Sequence, residues 1–140
     1  MPAFSTTSQA QLSTCDQRLQ DVLNKVIIKF DFTVLEGHRG QEAQDRAYAR
    51  GLSQVRWPNG KHNATPSKAA DVAPYPIDWG DPNNREKAEA ARQRFCYLAG
   101  WVMATAEQMG IKLRWGGDWD GDRDTRDEHF RDLGHFEVVE

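Results

Sequence analysis

The chain has 140 residues, of which 39% are hydrophobic and 28% charged, with a formal net charge of −3. That is enough chain to bury one core but too little for a catalytic module plus a separate binding module, so a single domain over residues 1–140 with one site is expected. The charge balance offers no basic field for a phosphate backbone, which argues against a nucleic-acid partner, and no apolar run reaches the length needed for membrane insertion.

Taken in chain order, Leu12, Cys15, Leu19, Val22, Leu23 and Val26 recur at helical spacing and predict one amphipathic helix over residues 9–26. Residues 30–35 alternate aromatic and β-branched side chains with Asp31 and Thr33 and predict a strand. A short helix follows over residues 41–50, stopped by Gly51. Residues 52–67 are polar and broken by Pro58, Gly60 and Pro66, a loop too long to be a mere connector. A strand is predicted over residues 68–73, a long helix over 84–109 ended by Gly110, and a strand over 111–115. After an acidic stretch at 116–128, a last strand is predicted over 135–139. Helices and strands are mixed without βαβ alternation, so the expected fold is α+β, a small and mainly antiparallel sheet packed against helices. Cys15 and Cys96 both fall on apolar helical faces, read as free core thiols with a disulfide or reactive role as the alternative.

The chemistry concentrates in His62, Asp71 and His135. Two imidazoles and one carboxylate are the ligand set of an open catalytic Zn²⁺ site, and a site closed by thiolates is excluded in a chain with two cysteines. Asp71 also sits in an otherwise apolar strand, where a buried acid needs a partner. Asp132, three residues before His135, is placed to take and return a proton. His38 and His129 read as supporting or surface residues that could stand in for His62. Asp118, Asp120 and Asp122 alternate in a way that could gather oxygens around Ca²⁺, or they form an ordinary solvated charge run. Trp115 and Trp119 could line a substrate groove, or pack in the core.

With His62 before Ser67-Lys68-Ala69-Ala70-Asp71 and Asp132-x-x-His135 at the end, the chain resembles the M15 family of zinc peptidases. That family includes D-alanyl-D-alanine dipeptidases and carboxypeptidases, and phage endolysins that cut the L-alanyl-D-glutamate bond of peptidoglycan. Its first motif, Ser-x-His-x-x-Gly-x-Ala-x-Asp, is matched at Ala69 and Asp71. Ser67 stands at the glycine, and His62 lies two residues too early, read as a two-residue insertion. Gly37-His38-Arg39, followed by the helix with Gln44, Ala47 and Tyr48, looks like the family's arginine segment. The resemblance thus implies that Arg39 contacts the substrate carbonyl or developing oxyanion. It further implies a monomeric zinc metallopeptidase of the endolysin type acting on bacterial peptidoglycan. Such an enzyme, with no signal peptide, would be made in the host cytoplasm and reach the wall after membrane permeabilisation. The rival readings are a D-Ala-D-Ala dipeptidase or carboxypeptidase, and a non-catalytic cell-wall-binding phage protein.

Overall fold

A computed structural model describes residues 1–128 and 131–140, so His129 lies outside the described residues. The elements are α1 (Thr6–Leu12), α2 (Gln17–Ile27), β1 (Phe32–Glu36), α3 (Gln41–Ala49), β2 (Ala69–Pro74), α4 (Arg85–Gln108), β3 (Leu113–Gly116) and β4 (Asp132–Val138), with one 3-10 turn at Lys61–Asn63. The strands form one sheet in the order β1-β2-β4-β3, and each neighbouring pair is antiparallel. The α+β expectation therefore holds. No helix among the described residues is long and apolar enough to cross a membrane.

The first expected helix is two. Asp16 breaks it by capping α2, its side chain accepting from the Arg18 amide at 2.9 Å. The Asp16 amide donates to the Ser67 carbonyl at 2.8 Å, and the Ser67 amide to the Thr14 carbonyl at 2.9 Å. Cys15 accordingly lies in the turn, buried and free, while Cys96 is a half-buried free thiol of α4. The apolar period runs through the break because both helices bury the same face.

Strand alternation assigns the two faces of the sheet. Phe32 and Val34 of β1, Ala70 and Val72 of β2, and Phe136 and Val138 of β4 enter the core with Leu19, Val22 and Val26 of α2 and Leu98 and Val102 of α4. Asp71, His135 and Glu137 take the intervening positions and belong to the other face. There Asp71 opposes His135 across the β2–β4 pair, and Glu137 opposes Arg114 across β3–β4. The last strand begins at Asp132, three residues earlier than expected, which puts Asp132 and His135 on one element. This extension needs Gly134, since a Cβ there would run into the Val72 carbonyl.

Candidate metal centre

The sheet face opposite the helical core forms the floor of an open cleft of about 910 Å³, walled by α3 and the long loop and containing Arg39, Trp119, Asp132 and the three candidate ligands. Asp71 is its centre. Its Oδ1 lies 3.1 Å from His62 Nε2 and 3.1 Å from His135 Nδ1, and its Oδ2 accepts from Arg39 Nη2 at 3.2 Å. One ligand atom from each of His62, Asp71 and His135 can be chosen so that all lie within 4.8 Å of one another. The long loop, the second strand and the last strand thus bring together the three residues read from the sequence.

The opposite ring nitrogens are also engaged. His62 Nδ1 lies 2.7 Å from the Gly37 carbonyl, and His135 Nε2 lies 2.8 Å from Glu137 Oε1. Each imidazole is therefore aimed by an acceptor behind it, leaving the nitrogen facing Asp71 for a cation. Gly37 is itself fixed, because its amide donates to Gln11 Oε1 at 3.2 Å, the Ser67 hydroxyl lies 3.2 Å from its carbonyl and a Cβ on it would strike Thr14 and Gln11. Two imidazole nitrogens and a carboxylate oxygen, convergent and with both rings oriented, are a donor set that suits Zn²⁺ with a coordination position left over.

Electrostatics follow from this packing. Burial works against ionisation of Asp71, but hydrogen bonds from His135 and His62 outweigh it and hold its carboxyl below the ordinary range. Burial likewise opposes a charge on His135, yet its bonds to Asp71 and Glu137 push it up to about 9. Asp132 Oδ2 stands 3.9 Å from His135 Nδ1. Burial, and then the charge of Asp71, raise the Asp132 carboxyl above its usual value against the pull of His135, His62 and Arg39. A carboxylate with enhanced proton affinity beside a candidate ligand set is chemically suited to act as a general base.

Arg39 lines the cleft but is more constrained than a substrate-binding arginine read from sequence would be. Its Nε donates to Glu36 Oε1 at 2.7 Å and its Nη1 to Gln44 Oε1 at 3.1 Å, in addition to the Asp71 contact. Gln44, buried in α3, ties this guanidinium to the ligand turn, since its Oε1 also accepts from Asn63 Nδ2 at 3.1 Å. The Arg39 amide donates to the His62 carbonyl at 2.8 Å. The two tryptophans separate. Trp119 packs against the His135 ring with centroids 5.3 Å apart and lines the cleft. Trp115 is not a groove residue: it is 8% exposed, belongs to the core and donates its indole N–H to the Leu133 carbonyl at 2.8 Å. It alternates onto the core face of β3, which the sequence reading left open. His38 stays outside the cluster, its Nδ1 3.0 Å from the Ala64 carbonyl.

In the acidic loop, oxygens of Asp118, Asp120 and Asp122 also lie within 4.8 Å of one another. Much of that carboxylate chemistry is spent locally: Asp120 Oδ1 accepts from the Asp122 amide at 3.2 Å and Asp118 Oδ2 from the Arg123 amide at 2.9 Å. Asp118 Oδ1 is shielded from solvent with no hydrogen-bond partner among the described residues. Sequence reasoning missed Glu36, Asn63 and Glu137. Only Glu137 carried a signal, its two-residue offset from His135 on one strand.

A family model described as phage L-alanyl-D-glutamate peptidase matches residues 2–139. The L-alanyl-D-glutamate peptidase of Escherichia phage T5 is 33% identical over 144 residues, an alignment covering 97% of this chain and 97% of that protein. The crystal structure of the Serratia marcescens L-Ala D-Glu endopeptidase ChiX has the same fold, with a TM-score of 0.70 at 22% identity, covering 99% of this chain and 91% of that one.

Proposed function

The chain belongs to the phage L-alanyl-D-glutamate peptidase family, and from that premise we propose that it is a zinc-dependent peptidoglycan endopeptidase cutting the L-Ala-D-Glu bond of the stem peptide. The observation that carries the zinc reading is the convergence of His62 Nε2, Asp71 Oδ1 and His135 Nδ1 in an open cleft with Asp132 alongside. Zn²⁺, when bound there, acidifies a water and polarises a carbonyl. The remaining steps belong to the chain. Asp132, its proton affinity raised by burial and by Asp71, removes a proton from the attacking water and returns it to the leaving amine. Arg39, held by Glu36, Gln44 and Asp71, supplies fixed positive charge toward the oxyanion that develops on the substrate carbonyl. Trp119 covers one side of the His135 ring and forms part of the substrate wall.

In this reading residues 1–140 form one catalytic domain that works as a monomer and reaches the wall once another protein has permeabilised the membrane. We extend the reading to the acidic loop as a Ca²⁺ site of Asp118, Asp120 and Asp122, supported by their grouped oxygens and by Asp118 Oδ1, which has no hydrogen-bond partner among the described residues. Incubation of zinc-loaded protein with purified peptidoglycan, with new termini identified by mass spectrometry, tests the main reading. New N-terminal D-Glu is expected. Release of D-Ala or D-Ala-D-Ala, or no cleavage at all with zinc bound, would overturn it.

A further inference from the structure

Behind His135 lies a carboxylate that the proposed reaction does not use. Glu137 is 6% exposed, an expensive position for an ionised acid unless each oxygen is satisfied. Both are. Oε1 meets His135 Nε2 at 2.8 Å, and Oε2 accepts from Arg114 Nη1 at 3.3 Å. The arrangement follows from the sheet. Residues two apart on a strand share a face, so Glu137 stands beside His135 on β4, and Arg114 is its register partner on β3. Its partner on the other side is Ala69, which has no polar side chain to draw the carboxylate away. Arg114 keeps its head partly in water while pinning the carboxylate from behind, so the shorter contact is the one made to the imidazole.

Resting on the zinc reading above, we propose that Glu137, tethered by Arg114, is a positioning residue that holds the proton of His135 on Nε2 and so presents a bare Nδ1 to the metal. The two histidines would then ligate through different nitrogens, His62 through Nε2 with a backbone carbonyl behind it and His135 through Nδ1 with a carboxylate behind it. A main-chain carbonyl cannot be changed by substitution, whereas Glu137 can, so the two supports are experimentally separable. A carboxylate also strengthens the donor it faces more than a carbonyl does.

The test begins with nitrogen-15 NMR of the zinc-loaded wild-type protein, which reads the tautomer without any substitution. His135 with a protonated Nε2 and a metal-shifted Nδ1 is expected, and the opposite tautomer overturns the proposal. Zinc affinity of the folded variants is then measured by competition with a chromophoric chelator. Glu137→Gln retains an oxygen acceptor and is expected to bind zinc within about threefold of wild type. Glu137→Leu, of similar size but with no acceptor, is expected to bind about ten- to a hundredfold more weakly, the range found for lost outer support of metal ligands. Equal affinities for Glu137→Leu and wild type would reduce Glu137 to a structural ion pair and overturn the proposal. If Glu137→Leu does not fold, the wild-type tautomer decides. Wild-type protein that binds no zinc would overturn the zinc reading and this inference with it, whereas zinc bound through His135 Nε2 would overturn this inference alone.

Discussion

Replacing Asp71 by asparagine probes the metal centre at the residue that both imidazoles and Arg39 touch. The amide keeps the shape of the side chain but removes its charge and leaves one oxygen where the carboxylate offered two, one toward the Arg39 guanidinium and one toward the two imidazoles. In the metal-free protein this leaves one buried contact unmade, at a cost of about 1–3 kcal/mol. The effect on metal is larger. Apparent binding free energies for zinc held by a full protein ligand set are about 10–16 kcal/mol, and an equal share for one of three ligands is roughly 3–5 kcal/mol, or about two to four orders of magnitude in affinity. At a zinc concentration of about 100 times the wild-type Kd, mass action stabilises the wild-type protein by about 2.7 kcal/mol. For a chain of this size that corresponds to a rise in Tm of roughly 10 °C. The same zinc concentration lies at or below the variant's Kd and would stabilise it by less than about 0.5 kcal/mol, a rise of about 1–2 °C. Thermal melts of both proteins with and without zinc, followed by circular dichroism, measure the difference. A zinc-dependent rise in Asp71→Asn equal to that of wild type would show that Asp71 is not a ligand and that the cluster binds its cation elsewhere.

Asp132→Asn is expected to retain zinc and fold while lowering turnover on peptidoglycan by about a hundredfold or more, and near wild-type turnover at confirmed zinc occupancy would remove it from the mechanism. Asp16 is held below the ordinary carboxyl range first by its bond to Arg18, against burial and with help from Lys68. A depressed folded value means stability that is complete above the unfolded value of about 4 and is lost as the pH falls below it. Asp16→Asn preserves the cap of α2 but not the charge, so urea titrations should show a deficit of about 1–2 kcal/mol at pH 7 that shrinks below pH 4; a deficit independent of pH would refute this. For the acidic loop, calorimetry should detect Ca²⁺ at about millimolar concentration, with loss of binding on replacing Asp118, Asp120 and Asp122 by asparagine. Because a hydrogen bond with Asp122 pushes Asp127 up to about 6, calcium binding should weaken as protons return below that pH, and heat-silent titrations at pH 7 would assign the loop to ordinary solvated acids.

What the sequence disclosed, and what it hid, divides along the line between local and cross-chain information. The long helix α4 and its ends were legible because Asn84 caps it and Gly110 takes a positive φ just beyond it, both properties of single residues. The break at Asp16 was not, because an unbroken apolar period masks a cap when two successive helices bury one face, and the pairing that fixes the turn comes from Ser67, far along the chain. The same holds at the site. His62, Asp71 and His135 were recognisable as metal-binding chemistry, and Asp71 as an acid too costly to bury alone. Nothing local indicated that Arg39 would be occupied by Glu36, Gln44 and Asp71 at once, since those acceptors meet only when α3, β1 and β2 are packed. The start of β4 was hidden for a related reason. Gly134 reads as a turn residue, but its missing side chain is what lets β4 pass the Val72 carbonyl and carry Asp132 to the candidate metal ligands. A glycine that reads as a strand end here extends it, and Asp132 and His135 share one rigid element as a result. That rigidity makes the 3.9 Å separation of Asp132 and His135 a property of the sheet rather than of a loop, so the geometry that the proposed proton transfer requires is set when the strands pair.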